Sequence, residues 1–160
     1  MKKEQSGFFL LEALIAILIF SLGILGMISM GSAAIAGQTD AQVRTDAATF
    51  ADELAGQIAL SVDRMTDDAA TSASLAAFAH RPTPGGYCTF AGAASADPVV
   101  TAWLARVTGA GGLPGAVAAR QSIAIDTSLT GYNQVMITMC WQGPNDNAMR
   151  RFMTTAYVNR

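Results

Sequence analysis

Between Phe8 and Gly37 the chain carries one ionisable side chain, Glu12, in the run FFLLEALIAILIFSLGILGMISMGSAAIAG. A helix needs about 20 apolar residues to cross the hydrocarbon of a bilayer, and this run is longer. Lys2 and Lys3 precede it, which holds the N-terminus on the cytoplasmic side and puts the rest of the chain outside. A secretory signal peptide would have a shorter apolar region, about 7–15 residues, ending in a small-residue cleavage site. Ser32, Ala33 and Ala34 imitate such a site, but the run is too long for it. A plain membrane anchor is the other simple reading. Neither accounts for Glu12.

A carboxylate inside a membrane helix costs about 2.5–3.5 kcal/mol on insertion scales, and such groups are normally paired. Arg44 lies 32 positions away and the lysines sit in the leader, so no cation is in reach on the same helix. The partner of Glu12 comes from another chain, comes from an amine made by processing, or does not exist. A cut between Gly7 and Phe8 would create an α-amine near Glu12, largely protonated near neutral pH.

The stretch Gly7-Phe8-Phe9-Leu10-Leu11-Glu12, behind a short basic leader and ahead of an uninterrupted apolar helix, resembles the prepilin motif. That motif belongs to type IV pilins and the pseudopilins of type II secretion. The resemblance implies that a prepilin peptidase cuts after Gly7 and methylates the new N-terminus, Phe8. It implies that Glu12 registers a subunit against a neighbour's amine during assembly. Phe9 departs from the Thr or Ser usual there, without touching the cleavage chemistry. Within the family, Ser21-Leu22-Gly23-Ile24-Leu25-Gly26-Met27 resembles the L-G-[LI]-L-G-[LM] stretch of minor pilins of the PilV kind. The strong resemblance covers about residues 7 to 30, and beyond Phe50 it is architectural only. It implies a subunit of a small complex that starts pilus assembly, with other minor and major pilins as partners through the N-terminal helix. The implied location is the inner membrane, single-pass with a periplasmic domain, and after assembly the pilus at the cell surface.

The formal net charge is −2, from 12 acidic and 10 basic side chains; loss of Lys2, Lys3 and Glu4 leaves 11 and 8, near −3. No basic stripe survives outside the leader, so the field that collects nucleic-acid backbones is absent and no direct nucleic-acid binding is expected. Cys88 and Cys140 are the only cysteines. An even count in an exported domain points to one disulfide; two buried thiols are the alternative. Closing that loop would stabilise a small domain by roughly 4 kcal/mol in the chain-entropy account.

Past Gly37 the sequence turns polar but keeps a helical period: Val43, Ala47, Phe50, Leu54, Ile58 and Val62 recur at steps of three or four. One helix is expected from about Phe8 to Asp63, roughly 80 Å long. Gly23, Gly26 and Gly31 interrupt its first half and allow either close helix approach or local melting. A second helix is expected from Thr66 to about Ala79. His80 to Gly86 reads as a loop rich in Pro and Gly, with His80 solvated, and Tyr87 to Phe90 as a short strand or tether. Asp97 and Pro98 open a third helix that presents Val99, Val100, Trp103, Leu104 and Val107 on one face. Gly109 to Gly115 reads as a flexible loop. Three strands follow: Ser122 to Asp126, Gln134 to Gln142 and Arg150 to Val158, separated by turns at Gly131 and at 143–147. The expected fold is α+β and pilin-like. A long N-terminal helix, transmembrane then amphipathic, packs on a small three- to four-stranded antiparallel sheet. The expected segments are a leader at 1–7, an assembly helix at 8–37, a stalk at 38–65 and a globular domain at 66–160.

No catalytic cluster is legible, and neither enzymatic activity nor a cofactor is expected. His80 is the only histidine, which rules out His-based relays and metal clusters. Asp67-Asp68 reads as a helix start. The spacing of the cysteines makes neither a zinc knuckle nor a redox CxxC. Trp103 and Trp141 read as core. Gly109 to Gly115 has neither the Lys nor the preceding strand of a phosphate-binding loop. Two alternatives to a pilus subunit stand beside it: a minor pseudopilin of the GspI kind, and a membrane-anchored adhesin or ligand-binding module.

Overall fold

The computed structural model describes residues 6–129, 132–144 and 146–158. The first five residues of the 1–7 leader and the turn residue Gly131 lie outside the described residues. The chain divides into two compact units, Met1–Gln42 and Val43–Arg160.

Helix α1, Ser6–Ser61, contributes its first part to the one unit and its last part to the other. It is long and apolar enough to cross a membrane. No proline occurs before Pro82, so nothing in this stretch removes a helical N–H. The hydroxyls of Ser21, Ser32 and Thr39 donate back to Ile17 O, Ile28 O and Ile35 O at 2.7, 3.2 and 3.0 Å. These polar groups are therefore satisfied inside the helix, as a lipid environment demands. The apolar side chains are bare: Phe8, Phe20 and Met30 are 75%, 69% and 79% exposed.

In the second unit α1 builds one side of the core. Ala47, Ala51, Leu54, Ile58 and Val62 are buried, with Val43 and Phe50 partly so, which is the stripe that the periodicity marked. After α1 the chain turns on Asp63, whose carboxylate accepts from Met65 N at 2.9 Å. Helix α2, Asp68–Ala76, starts at Asp67, which accepts from Ala70 N. It buries Thr71 and Leu75 and is shorter at both ends than expected. Helix α3, Pro98–Thr108, is capped by Asp97 as expected and buries Val100, Trp103, Leu104 and Val107. Trp103 also donates its indole N–H to Phe50 O of α1 at 2.9 Å.

Strands β3 (Ser122–Leu129), β4 (Tyr132–Trp141) and β5 (Arg150–Tyr157) form the antiparallel meander expected. Ile137 of β4 pairs with Ile123 on one side and Thr154 on the other. Val135, Ile137, Met139 and Trp141 fall on the face that joins the α1 and α3 side chains in the core. The α+β architecture, a long apolar helix with a small antiparallel sheet, is thus the one the patterning called for.

Three local expectations are corrected. The stretch after His80 is not a loop: β1 (Thr83–Gly86) pairs with β2 (Thr89–Ala91) in a separate two-stranded sheet. Pro84 is tolerated because this is a two-stranded hairpin in which each strand has an open edge. His80 is not solvated but 2% exposed, and its backbone bridges Ile123 through N–H···O bonds of 3.0 and 2.8 Å. The Gly109–Gly115 segment is pinned: Leu113 is buried and bonds Val107 O at 2.9 Å. Gly115 has φ +64 and lies so close to Gln142 O that a Cβ would sit 2.3 Å from it. The glycine there is a contact requirement rather than a hinge.

Candidate functional site

At the start of α1, Gly7, Phe8 and Glu12 lie on one continuous helix. Phe8 and Glu12 are four residues apart and share a face, one turn from each other. Both side chains are exposed, and no described residue pairs with Glu12. Gly23, Gly26 and Gly31 have no neighbour within 4 Å of where a Cβ would stand. Nothing in the chain's own packing uses their small size. Among the described residues, this part of α1 therefore has an acid without a counter-ion, glycines without a contact and a continuous apolar surface without cover. Chemically it can insert into lipid or dock against other helices, and it holds a carboxylate ready for a cation brought from outside the helix.

In the second unit, Cys88 and Cys140 form the disulfide, with Cα atoms 5.9 Å apart. Cys88 sits in the turn between β1 and β2 at φ +56, and Cys140 sits next to the end of β4, fully buried. The bridge clasps the hairpin to the middle strand, on the face opposite Trp141. No described cysteine is free.

Two buried polar side chains tie down the chain around the disulfide. His80 accepts from Ser95 N at its Nδ1 (3.2 Å) and faces Ala118 O with its Nε2 (3.1 Å). The backbone amide needs a lone pair and the carbonyl needs a proton, so these partners select the Nε2–H tautomer. Gln121, fully buried, accepts from Cys140 N at 3.1 Å and donates to Cys140 O at 2.9 Å. The β3–β4 ladder begins at Ser122↔Thr138. The side-chain amide of Gln121 continues that ladder by one step where the backbone has left it. Neither role was visible in the sequence. A lone Gln before a strand carries no periodic signal, and the histidine lies among prolines and glycines that otherwise mark exposed chain.

Asp67 acts as a helix cap, as read, and both tryptophans lie in the core. The features brought together around the disulfide are therefore structural. The features at the start of α1 are the ones left without partners. Comparison with protein-family models, with curated proteins and with solved structures finds no match for this chain.

Proposed function

We propose that the chain is a minor pilin-like subunit, anchored in the inner membrane by α1 with its disulfide-bearing domain in the periplasm. A prepilin peptidase cuts after Gly7 and methylates Phe8, and the mature subunit enters a helical bundle with other minor and major pilins. Its role is the initiation or assembly of type IV pili, as the likeness to PilV-type minor pilins implies. The observation that carries this reading is Glu12: the sole ionisable group between Phe8 and Gly37, exposed, and one helical turn from the residue that would bear the new amine. In lipid an isolated carboxylate is costly, and a protonated amine from the adjacent subunit would offset that cost. The uncovered glycines support the same reading, because small residues let helices approach closely in membranes.

The test is Glu12→Ala in the native host. Cleavage should persist, read by mass spectrometry as Phe8 at the N-terminus, while recovery of the subunit in sheared pili should fall at least tenfold. Unchanged incorporation would reject the assembly role. A mature protein that keeps residues 1–7 would reject the processing.

A further inference from the structure

Strand β5, Arg150–Tyr157, is an edge of the three-stranded sheet, so alternate residues turn their main-chain groups away from β4. Both ends of the strand show which residues these are. Just past its end, Val158 N donates to Asn133 O at 2.9 Å. Near its start, Cys140 stands opposite Arg151 but gives its N–H and C=O to Gln121, on the β3 side. Between these points the β4–β5 ladder runs without a register shift. The even-numbered residues therefore bond β4, and the N–H and C=O of Arg151, Met153, Thr155 and Tyr157 face outward. No described residue bonds them. The side chains of the same four are exposed. The other edge of the sheet is closed at its start, by the His80 bridge to Ile123 and by the Ser122 hydroxyl donating to Arg81 O at 2.9 Å. In contrast β5 has eight residues and no proline, lysine or bulge, which are common means of keeping an edge from pairing. Its open run begins just after Met149, whose C=O accepts from the Tyr87 hydroxyl at 3.3 Å.

We infer that the β5 edge pairs antiparallel with β5 of a second copy of this chain, across a two-fold axis at Thr154. An unpaired edge is recognised by another extended strand, because only a strand answers its main-chain groups in sequence. A two-fold pairing uses the same surface on both copies. In this register Arg151 stands opposite Tyr157 of the second copy, and Met153 opposite Thr155. All four open residues of each copy are used, in about eight hydrogen bonds. Like charges directly opposite each other destabilise a strand pair. Here the two Arg151 side chains lie at opposite ends of the seam, each facing an aromatic ring. Arg151 already makes that kind of contact within its own chain, 4.8 Å from the centroid of the Tyr87 ring. A parallel pairing in register would set Arg151 against Arg151. One strand pair adds no core and is marginal in water. Two copies held in one bilayer by α1 meet at a far higher effective concentration, which makes the seam hold. That last step rests on the membrane reading of α1; the open edge itself does not depend on the proposed function.

The experiment reconstitutes the full chain in phosphatidylcholine vesicles at low and at high protein-to-lipid ratio. Amide hydrogen exchange across β5 is followed by mass spectrometry. At the high ratio the amides of Arg151, Met153, Thr155 and Tyr157 should exchange at least tenfold more slowly, while the other amides of β5 keep their rates. Thr155→Pro should abolish that slowing, because its N–H faces outward and proline there removes no bond to β4. Association through α1 alone would leave the four amides fast and would overturn the inference. Equal rates at both ratios, or slowing that survives in folded Thr155→Pro, would do the same. Slowing produced by a capped alternating valine–threonine peptide, and not by the higher ratio, would assign the edge to a different chain and reject the second copy. Chain stripped from the vesicles by carbonate would instead reject the anchor, and with it the tethering. Should the variant fail to fold, the ratio dependence of the unmodified chain decides.

Discussion

Gln121 shows how one polar side chain can complete a sheet. Cys140 lies beyond the last β3–β4 pair, in the core, so its N–H and C=O toward β3 would have no partner there. A primary amide is the side chain that can answer both, since it carries an acceptor and a donor side by side. Leu at this position would fill similar space and answer neither. Each buried orphan costs about 1–3 kcal/mol, so Gln121→Leu should lower unfolding stability by about 2–4 kcal/mol. Denaturant melts would show this as a lower midpoint with an unchanged slope; a loss under 0.5 kcal/mol would contradict the account. At this scale the sequence was a partial guide. The capping roles of Asp67 and Asp97 were legible because a cap depends only on residues two or three positions on. The roles of Gln121 and His80 depend on carbonyls and amides brought close by the fold, and no local pattern announces them.

Helix α1 carries two instructions in one element. Apart from Glu12 and a few serines, its residues from Phe8 to Gly37 are apolar on every face; from Val43 onward the apolar residues keep to a stripe. Both regimes were readable, because a 3.6-residue period is a property of the chain itself. So were β3, β4 and β5, whose alternation marks a sheet with one face in the core. The β1–β2 hairpin was readable only in part: the strand or tether expected at Tyr87 to Phe90 overlaps β2 at Thr89 and Phe90, whereas β1 was read as loop. Its four-residue and three-residue strands contain Pro84, Gly85 and Gly86, and it is held by contacts remote in sequence: the Cys88–Cys140 bridge and the His80–Ile123 pairing. The α1–α3 packing has its own anchor in the Trp103 N–H bond to Phe50 O. Phe at 103 keeps an aromatic ring but leaves that carbonyl without the bond and part of the space unfilled. Trp103→Phe should cost about 1–3 kcal/mol, measured by thermal or denaturant unfolding. A neutral substitution would mean that the bond is replaced by water and the indole fills no needed space.

The core side chains from Ala47 to Val158 all belong to the second unit, and among the described residues no buried hydrophobic side chain comes from the first. Removing residues 1–42 therefore takes away none of these core side chains, while it removes the long apolar surface that would drive association in water. Residues 43–160 alone should fold in aqueous buffer as a monomer, with the disulfide formed. Sedimentation and near-ultraviolet circular dichroism would check this, the latter through Trp103 and Trp141, which are buried only when the core is assembled. Reduction should then separate the contribution of the bridge from that of the core. The closed loop has a sequence separation of 52, and the chain-entropy account gives about 4 kcal/mol for a loop of that size. The hydrogen bonds of Gln121 to Cys140 and of His80 to Ser95 and Ala118 use no sulfur atom, so cutting the bridge removes none of them directly. A reduced fragment that keeps its strand content but unfolds at lower denaturant fits a bridge that reinforces an already specified fold. A reduced fragment with no cooperative transition would mean instead that the hairpin is specified by the disulfide alone, and that the buried histidine and glutamine are consequences of that closure rather than causes of the fold.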